Sequence, residues 1–109
     1  MKDCIFCKIV KHEIPKEFKY EDETVLAFDD INPVAPVHLI IIPKKHIEDF
    51  FEVSDDNVHL KISKAIKNLI EKTGLDKKGY RIEVNGGGAQ EIFHLHFHLF
   101  GPRRLGLAH

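Results

Sequence analysis

The segment His94-Leu95-His96-Phe97-His98-Leu99-Phe100 alternates imidazole and apolar side chains, with only its last position doubling the apolar one. A period of two belongs to the β-strand, whose successive side chains point to opposite faces. A strand over residues 94–100 turns His94, His96 and His98 to one face, about 6.5–7 Å apart along the strand. It turns Leu95, Phe97 and Leu99 to the other, and that face needs a cover. The chain supplies one after Ser54 or Asp55, either of which can cap a helix. There Val58, Ile62, Ala65, Ile66, Leu69 and Ile70 recur at helical spacing until Gly74 ends the run.

The remaining segments fit around this pair. Residues 5–10 read as one or two helical turns that finish before Pro15. Residues 18–30 read as a hairpin, with Glu21-Asp22-Glu23 as the turn and Val25-Leu26-Ala27-Phe28 as the second strand. Asn32-Pro33 and Ala35-Pro36 stiffen the next loop, because proline fixes its own φ and restrains its predecessor. Residues 37–42 are apolar and β-branched, a central strand closed by Pro43. Residues 80–84 form another strand. Asn85-Gly86-Gly87-Gly88 follows as a loop whose backbone can approach a ligand closely. Five strands, hairpin connections and one long helix predict an α+β fold with an antiparallel sheet, as a single domain over residues 1–109.

Sixteen basic residues against seventeen acidic ones give no electrostatic case for a nucleic-acid partner. The longest apolar run, residues 39–42, is strand-sized, so no membrane partner is expected. Met1-Lys2-Asp3-Cys4 has no apolar signal region, and a cytoplasmic location is expected. Cys4 and Cys7 would then be reduced, which favours a metal or redox role over a disulfide. A thioredoxin-like role is disfavoured because no βαβ pattern accompanies the pair.

Three histidines on one face beside a glycine-rich loop are hard to explain by packing alone. Neutral imidazole is a competent nucleophile near pH 7 when its other nitrogen donates to a fixed acceptor. An anionic, electrophilic phosphoryl centre suits it. The glycine-rich loop can offer backbone N–H groups to phosphate oxygens, and Asn85 and Gln90 add neutral amide donors. No G-x-x-x-x-G-K-[ST] motif is present, which argues against a P-loop NTPase.

The run Gln90-Glu91-Ile92-Phe93-His94-Leu95-His96-Phe97-His98-Leu99-Phe100 resembles the signature of the histidine triad family, H-φ-H-φ-H-φ-φ with φ apolar. The likeness extends over nearly the whole chain. It takes in Cys4-Ile5-Phe6-Cys7-Lys8-Ile9-Val10, Phe28-Asp29-Asp30-Ile31-Asn32-Pro33 and Ile42-Pro43-Lys44-Lys45-His46-Ile47. Within the family it is similar to the Hint-like branch of purine nucleoside phosphoramidases, including adenosine 5′-monophosphoramidases. The resemblance implies that His96 attacks an α-phosphorus to form a nucleotidyl-histidine intermediate, and that His98 binds the phosphate and assists charge or proton movement. It implies phosphate contacts from Asn85 and Gln90, ribose contacts from Asp30, and a base pocket of Phe6, Ile9, Phe28 and Ile31. It implies a structural zinc on Cys4, Cys7, His46 and His94, with no metal needed at phosphorus. It also implies a homodimer whose two five-stranded sheets join into one of ten strands, with the long helix and residues 80–84 as candidate contacts.

Plainer readings stand beside these. Phe6, Ile9, Phe28 and Ile31 read equally well as ordinary core, Asp30 as a turn residue and His38 as a satisfied structural histidine. His12, His59 and His109 are expected at the surface. Cys4 and Cys7 can be two buried thiols beside Phe6. A rival mechanism is a zinc hydrolase in which His94, His96 and His98 or His46 hold a catalytic metal and Glu91 is the base. A dinucleoside polyphosphate hydrolase would share the His96 chemistry, and a non-catalytic nucleotide-binding module would not. Glu91 stands where some family members carry a hydroxyl residue. The segment Gly101-Pro102-Arg103-Arg104 stands where a Gly-Gly pair is more usual.

Overall fold

The computed structural model describes residues 4–103. The elements run in the order α1 (Ile5–Val10), β1 (Phe18–Glu21), β2 (Val25–Asp29), β3 (Val37–Pro43), a 3-10 turn (Phe50–Glu52), α2 (Asp56–Thr73), a second 3-10 turn (Leu75–Lys77), β4 (Arg81–Val84) and β5 (Phe97–Gly101). The strands form one antiparallel five-stranded sheet in the order β1-β2-β3-β5-β4. The α+β architecture expected from the sequence is the one observed.

Local chemistry sets the boundaries. The Asp22 carboxylate accepts from the N–H groups of Thr24 and Val25 at 2.7 and 2.8 Å. This Asx-type closure shifts the hairpin turn one residue later than expected, so Glu21 stays in β1. Asp55, rather than Ser54, caps α2, its carboxylate accepting from Asn57 N–H at 2.8 Å. Gly74 ends the helix at φ +75°, a left-handed position that glycine adopts without penalty.

The sheet is covered on both faces. Under α2, the residues Val25, Ala27, Leu39, Ile41, Leu95, Phe97 and Leu99 meet Val58, Ile62, Ala65, Ile66 and Leu69. On the opposite face, Phe6 and Ile9 of α1 meet Leu26, Phe28, Ile40 and Ile42. Coverage from both sides explains why β2 and β3 are continuous apolar runs while the histidine segment alternates. By contrast, all four residues of β4 are exposed.

The histidine strand is shorter than its pattern predicts. Only Phe97–Gly101 pairs in the sheet, and Ile41 opposite Phe97 is the last register point with β3. Beyond it the chain peels away because other groups take its hydrogen bonds. Leu95 N–H donates to Ile47 O at 2.6 Å, His94 Nε2 lies 2.8 Å from Pro43 O, and His96 Nδ1 lies 2.8 Å from His94 O. Pro43 has no N–H with which to continue the ladder. Similarly, β4 begins at Arg81 rather than Tyr80.

Leu99 is fully buried at the centre of the α2-facing core. Leu99→Ala should lower unfolding free energy by about 2–5 kcal/mol, read from urea denaturation, with the denaturant slope unchanged.

Candidate active site

α1, the end of β2 and the segment before β5 enclose a cleft. Its walls include Phe6, Ile9, Phe28, Asp30, Ile31, His96 and His98. Each was expected from the sequence at a nucleotide or catalytic site, and the structure brings them together. Phe6 is the hub: its ring lies edge-on to Phe28 at 5.7 Å and to His96 at 5.2 Å between centroids. Phe6, Ile9 and Phe28 are buried, so they serve as core and as cleft wall at once, whereas Ile31 is exposed at the rim.

Neighbours fix the tautomers of His96, in the cleft, and of His38, which contacts the cleft residue His98. His96 Nδ1 sits 2.8 Å from the His94 carbonyl, an acceptor only. The proton therefore lies on Nδ1, and Nε2 keeps its lone pair. His38 is constrained in the opposite sense. Val34 N–H donates to its Nδ1 at 3.1 Å, so neutral His38 carries its proton on Nε2. That nitrogen lies 2.9 Å from His98 Nδ1 and 3.3 Å from Asp30 Oδ2. Donation to His98 Nδ1 leaves His98 with its proton on Nε2. Burial, and then His96 and His38, push the His98 pKa below the usual imidazole value, while Asp30 and Glu83 pull it up. His98 is accordingly a neutral donor near pH 7.

His38 was read from the sequence as a structural histidine. The structure makes it the link between Asp30 and His98. A lone imidazole inside the apolar run of β3 requires partners, and that requirement was the available signal. Which partners it finds depends on strand register, Ile40 opposite His98 and His38 opposite Phe100, and the sequence does not print that. Lys16, Ile40 and Ile92 also line the cleft and were not anticipated.

The three histidines do not converge on one point. Among the described residues, the groups able to hold a metal place His94 with Cys4, Cys7 and His46, and place His98 with Asp30 and His38. His96 belongs to neither. In the first group Cys4 Sγ is 3.2 Å from His94 Nδ1, and Cys7 Sγ is 3.3 Å from His46 Nδ1 and 3.6 Å from His94 Nδ1. A tetrahedral zinc with bonds of about 2.0–2.3 Å separates its ligands by roughly 3.3–3.8 Å, so these donors are suitably spaced. Pro43 O accepts from His94 Nε2–H and so turns the Nδ1 lone pair towards the sulfurs. Glu48 lies 3.7 Å from His46 Nε2 in the corresponding position. Burial drives His94 down to about 4, which keeps it neutral. Burial and Cys4 raise the Cys7 thiol to about 11, the cost a bound cation would offset.

The glycine-rich loop is not a wall of the cleft, and neither Asn85 nor Gln90 is. Three successive N–H groups, of residues 87–89, are occupied within the protein: Gly87 on Asp49 Oδ2 at 2.8 Å, Gly88 on Gln90 Oε1 at 2.9 Å, and Ala89 on Gly86 O at 3.1 Å. Gln90 is buried, and its Nε2 donates to Glu48 O at 3.1 Å. A Cβ on Gly86 would lie 2.6 Å from Asp49 Oδ1, so a larger residue there would displace the carboxylate that holds Gly87 N–H. The loop expected to contact phosphate is thus braced by internal bonds. Asn85 is half-buried.

Of the remaining histidines, His12 is exposed, as expected. His59 is half-buried against the Phe50 ring, 5.4 Å between centroids, because the 3-10 turn lies over α2. His109 and Arg104 lie outside the described residues.

Known proteins resemble this chain over most of its length. The family described as "Scavenger mRNA decapping enzyme C-term binding" matches residues 3–108. An uncharacterized HIT-like protein of Rickettsia prowazekii is 43% identical over 110 residues, covering 95% of this chain and 91% of that one. A HIT family hydrolase from Clostridium thermocellum has a structure similar to this one, with 46% identity, a TM-score of 0.91, and coverage of 99% and 97% of the two chains. A histidine triad nucleotide-binding protein from Candida albicans shows 36% identity and a TM-score of 0.83, over 89% of this chain and 73% of that one.

The electrostatics of His98 can be read directly by NMR titration of its ring protons. Its pKa should fall below the ordinary 6.5 and move lower still in Asp30→Asn, which removes a charge that favours the protonated ring. An upward shift in that variant would contradict the arrangement.

Proposed function

The chain belongs to the histidine triad family, and from that premise we propose that it hydrolyses purine nucleoside phosphoramidates or related nucleotide conjugates at the α-phosphate, through a covalent intermediate on His96. The observation that carries this reading is the His96–His94 O bond. It leaves a bare Nε2 lone pair in a cleft walled largely by aromatic and aliphatic side chains, with His98, Lys16 and the carboxylates of Asp29, Asp30 and Glu91 among its polar groups. The hydrolase and nucleotide-binding descriptions of the two structural relatives point the same way.

In the proposed reaction His96 Nε2 attacks phosphorus as the P–N bond breaks. The electron pair leaves with the nitrogen, which takes a proton from solvent and departs as an amine. Water then attacks the nucleotidyl-histidine and loses a proton, and cleavage of the P–Nε2 bond releases the nucleoside monophosphate and neutral His96. The Nδ1–H···O bond steadies the imidazolium of the intermediate. His98 would offer its Nε2–H to a phosphate oxygen and be held in that tautomer by His38. Asp30 would accept from the ribose hydroxyls, and Phe6, Ile9, Phe28 and Ile31 would take the base. A phosphate contact from Asn85 or Gln90 would need the loop to rearrange, and for Gln90 the exchange of an existing amide bond.

Cys4, Cys7, His46 and His94 fit zinc, which would tie α1 to the segment carrying His96 and leave the chemistry at phosphorus to the protein. Separation of His94 from His96 and His98 speaks against the catalytic-zinc rival. Turnover of adenosine 5′-phosphoramidate should survive brief chelation and fall at least about a thousandfold in His96→Ala. Near-normal turnover in that variant, or loss on chelation with recovery on added zinc, would overturn the scheme.

The proposal extends to a homodimer, which the exposed edge supports. β4 ends the sheet with an edge unpaired among the described residues, and Tyr80, Ile82 and Val84, with Phe50 against neighbouring Phe97, leave apolar surface there. Pairing β4 with its copy would satisfy both and give ten continuous strands. Light scattering at micromolar concentration should give twice the 12.6 kDa chain mass, and Ile82→Glu should reduce it to a monomer.

A further inference from the structure

We propose that Lys16 reads the six-position of the purine at the end of the cleft remote from the histidines, and so selects a 6-oxopurine nucleotide over an adenine one. This rests on the nucleotide reading above and names the base within it.

The cleft has a direction. Moving across the sheet, His98 on β5 faces Ile40 on β3, and Ile40 faces Phe28 on β2. Two strand spacings separate His98 from Phe28, roughly 10 Å. The rings of His96, Phe6 and Phe28 follow the same course. The Lys16 ammonium lies beyond them, 5.4 Å from the centre of the Phe28 ring. A phosphate at His96 and His98, with its ribose at Asp30, therefore directs the base along the apolar wall towards Lys16.

Lys16 is available for such a contact. Its ammonium makes one long bond, 3.5 Å to the Asp29 carbonyl, and among the described residues it has no ion pair. The neighbouring Asp29 carboxylate is taken instead by Lys19 at 3.6 Å. Lys16 is also the only lysine or arginine among the described residues lining the cleft.

The selectivity follows from the donor inventory. An ammonium has three donors and no acceptor. Guanine and hypoxanthine present O6 and N7, two adjacent acceptors, whereas adenine places an amino donor at the six-position. The same ammonium thus gains a second partner from a 6-oxopurine and meets an opposing donor on adenine.

The test is calorimetric titration of GMP, IMP and AMP into the protein and into Lys16→Met, which keeps the aliphatic stem over Phe28. The expected result is GMP and IMP binding about tenfold more tightly than AMP, with the preference lost in the variant through weaker GMP and IMP binding and unchanged AMP binding. IMP lacks the two-amino group, so its likeness to GMP assigns the effect to O6. Equal binding of the three by the unaltered protein, or a preference that persists in Lys16→Met, would overturn the assignment and leave the nucleotide reading standing. Binding of none of them would overturn both.

Discussion

A neutral imidazole has two nitrogens and one proton, and the site depends on where each of those protons is placed. Three backbone groups decide it. Pro43 O holds the His94 proton on Nε2, His94 O holds the His96 proton on Nδ1, and Val34 N–H keeps the His38 proton off Nδ1. Each contact leaves a lone pair or a donor facing a different task. The same bonds account for the departure of residues 94–96 from the sheet, since a strand fully paired with β3 would have spent those carbonyls on the ladder. Early termination of β5 is how the fold holds His94 and His96, two residues apart, in opposite tautomers.

The sheet makes this possible by being thick. α2 covers one face and α1 the other, so β2 and β3 are buried on both sides and rigid at the point where Asp30 and His38 leave them. The functional face is therefore backed by a packed core through alternate residues of the same strands. Leu95, Phe97 and Leu99 anchor the segment into the core under α2 while His94, His96 and His98 project from the opposite side. Alternation in the sequence is the trace of one segment serving both a core and a cleft.

Much of this was legible before the structure. The long helix, its stop at Gly74, the five strands and the faces of the histidine segment follow from periodicity and turn residues, which are local. The residues joined in the cleft were legible through the family pattern, because periodicity alone left Phe6, Ile9 and Phe28 indistinguishable from core, and they prove to be core as well. What escaped was set by pairing across the chain. The role of His38 depends on register with β5. The occupation of the glycine-loop N–H groups depends on Asp49, thirty-eight residues earlier than its partner Gly87. Lys16 lies in a stretch with no apolar period to mark its direction.

One wall of the cleft comes from a helix of only six residues. So short a helix has almost no stability of its own in water, because nucleation costs more than its few bonds return. α1 exists as a helix only while Phe6 and Ile9 are seated in the sheet and its cysteines sit against His46 and His94. Since Phe6 and Ile9 also face the cleft, the seated fraction of α1 multiplies directly into ligand affinity: a chain half undocked binds half as well, with every contact residue intact. Whatever grips the first turns of this chain thereby acts as a rheostat on a site it need not touch.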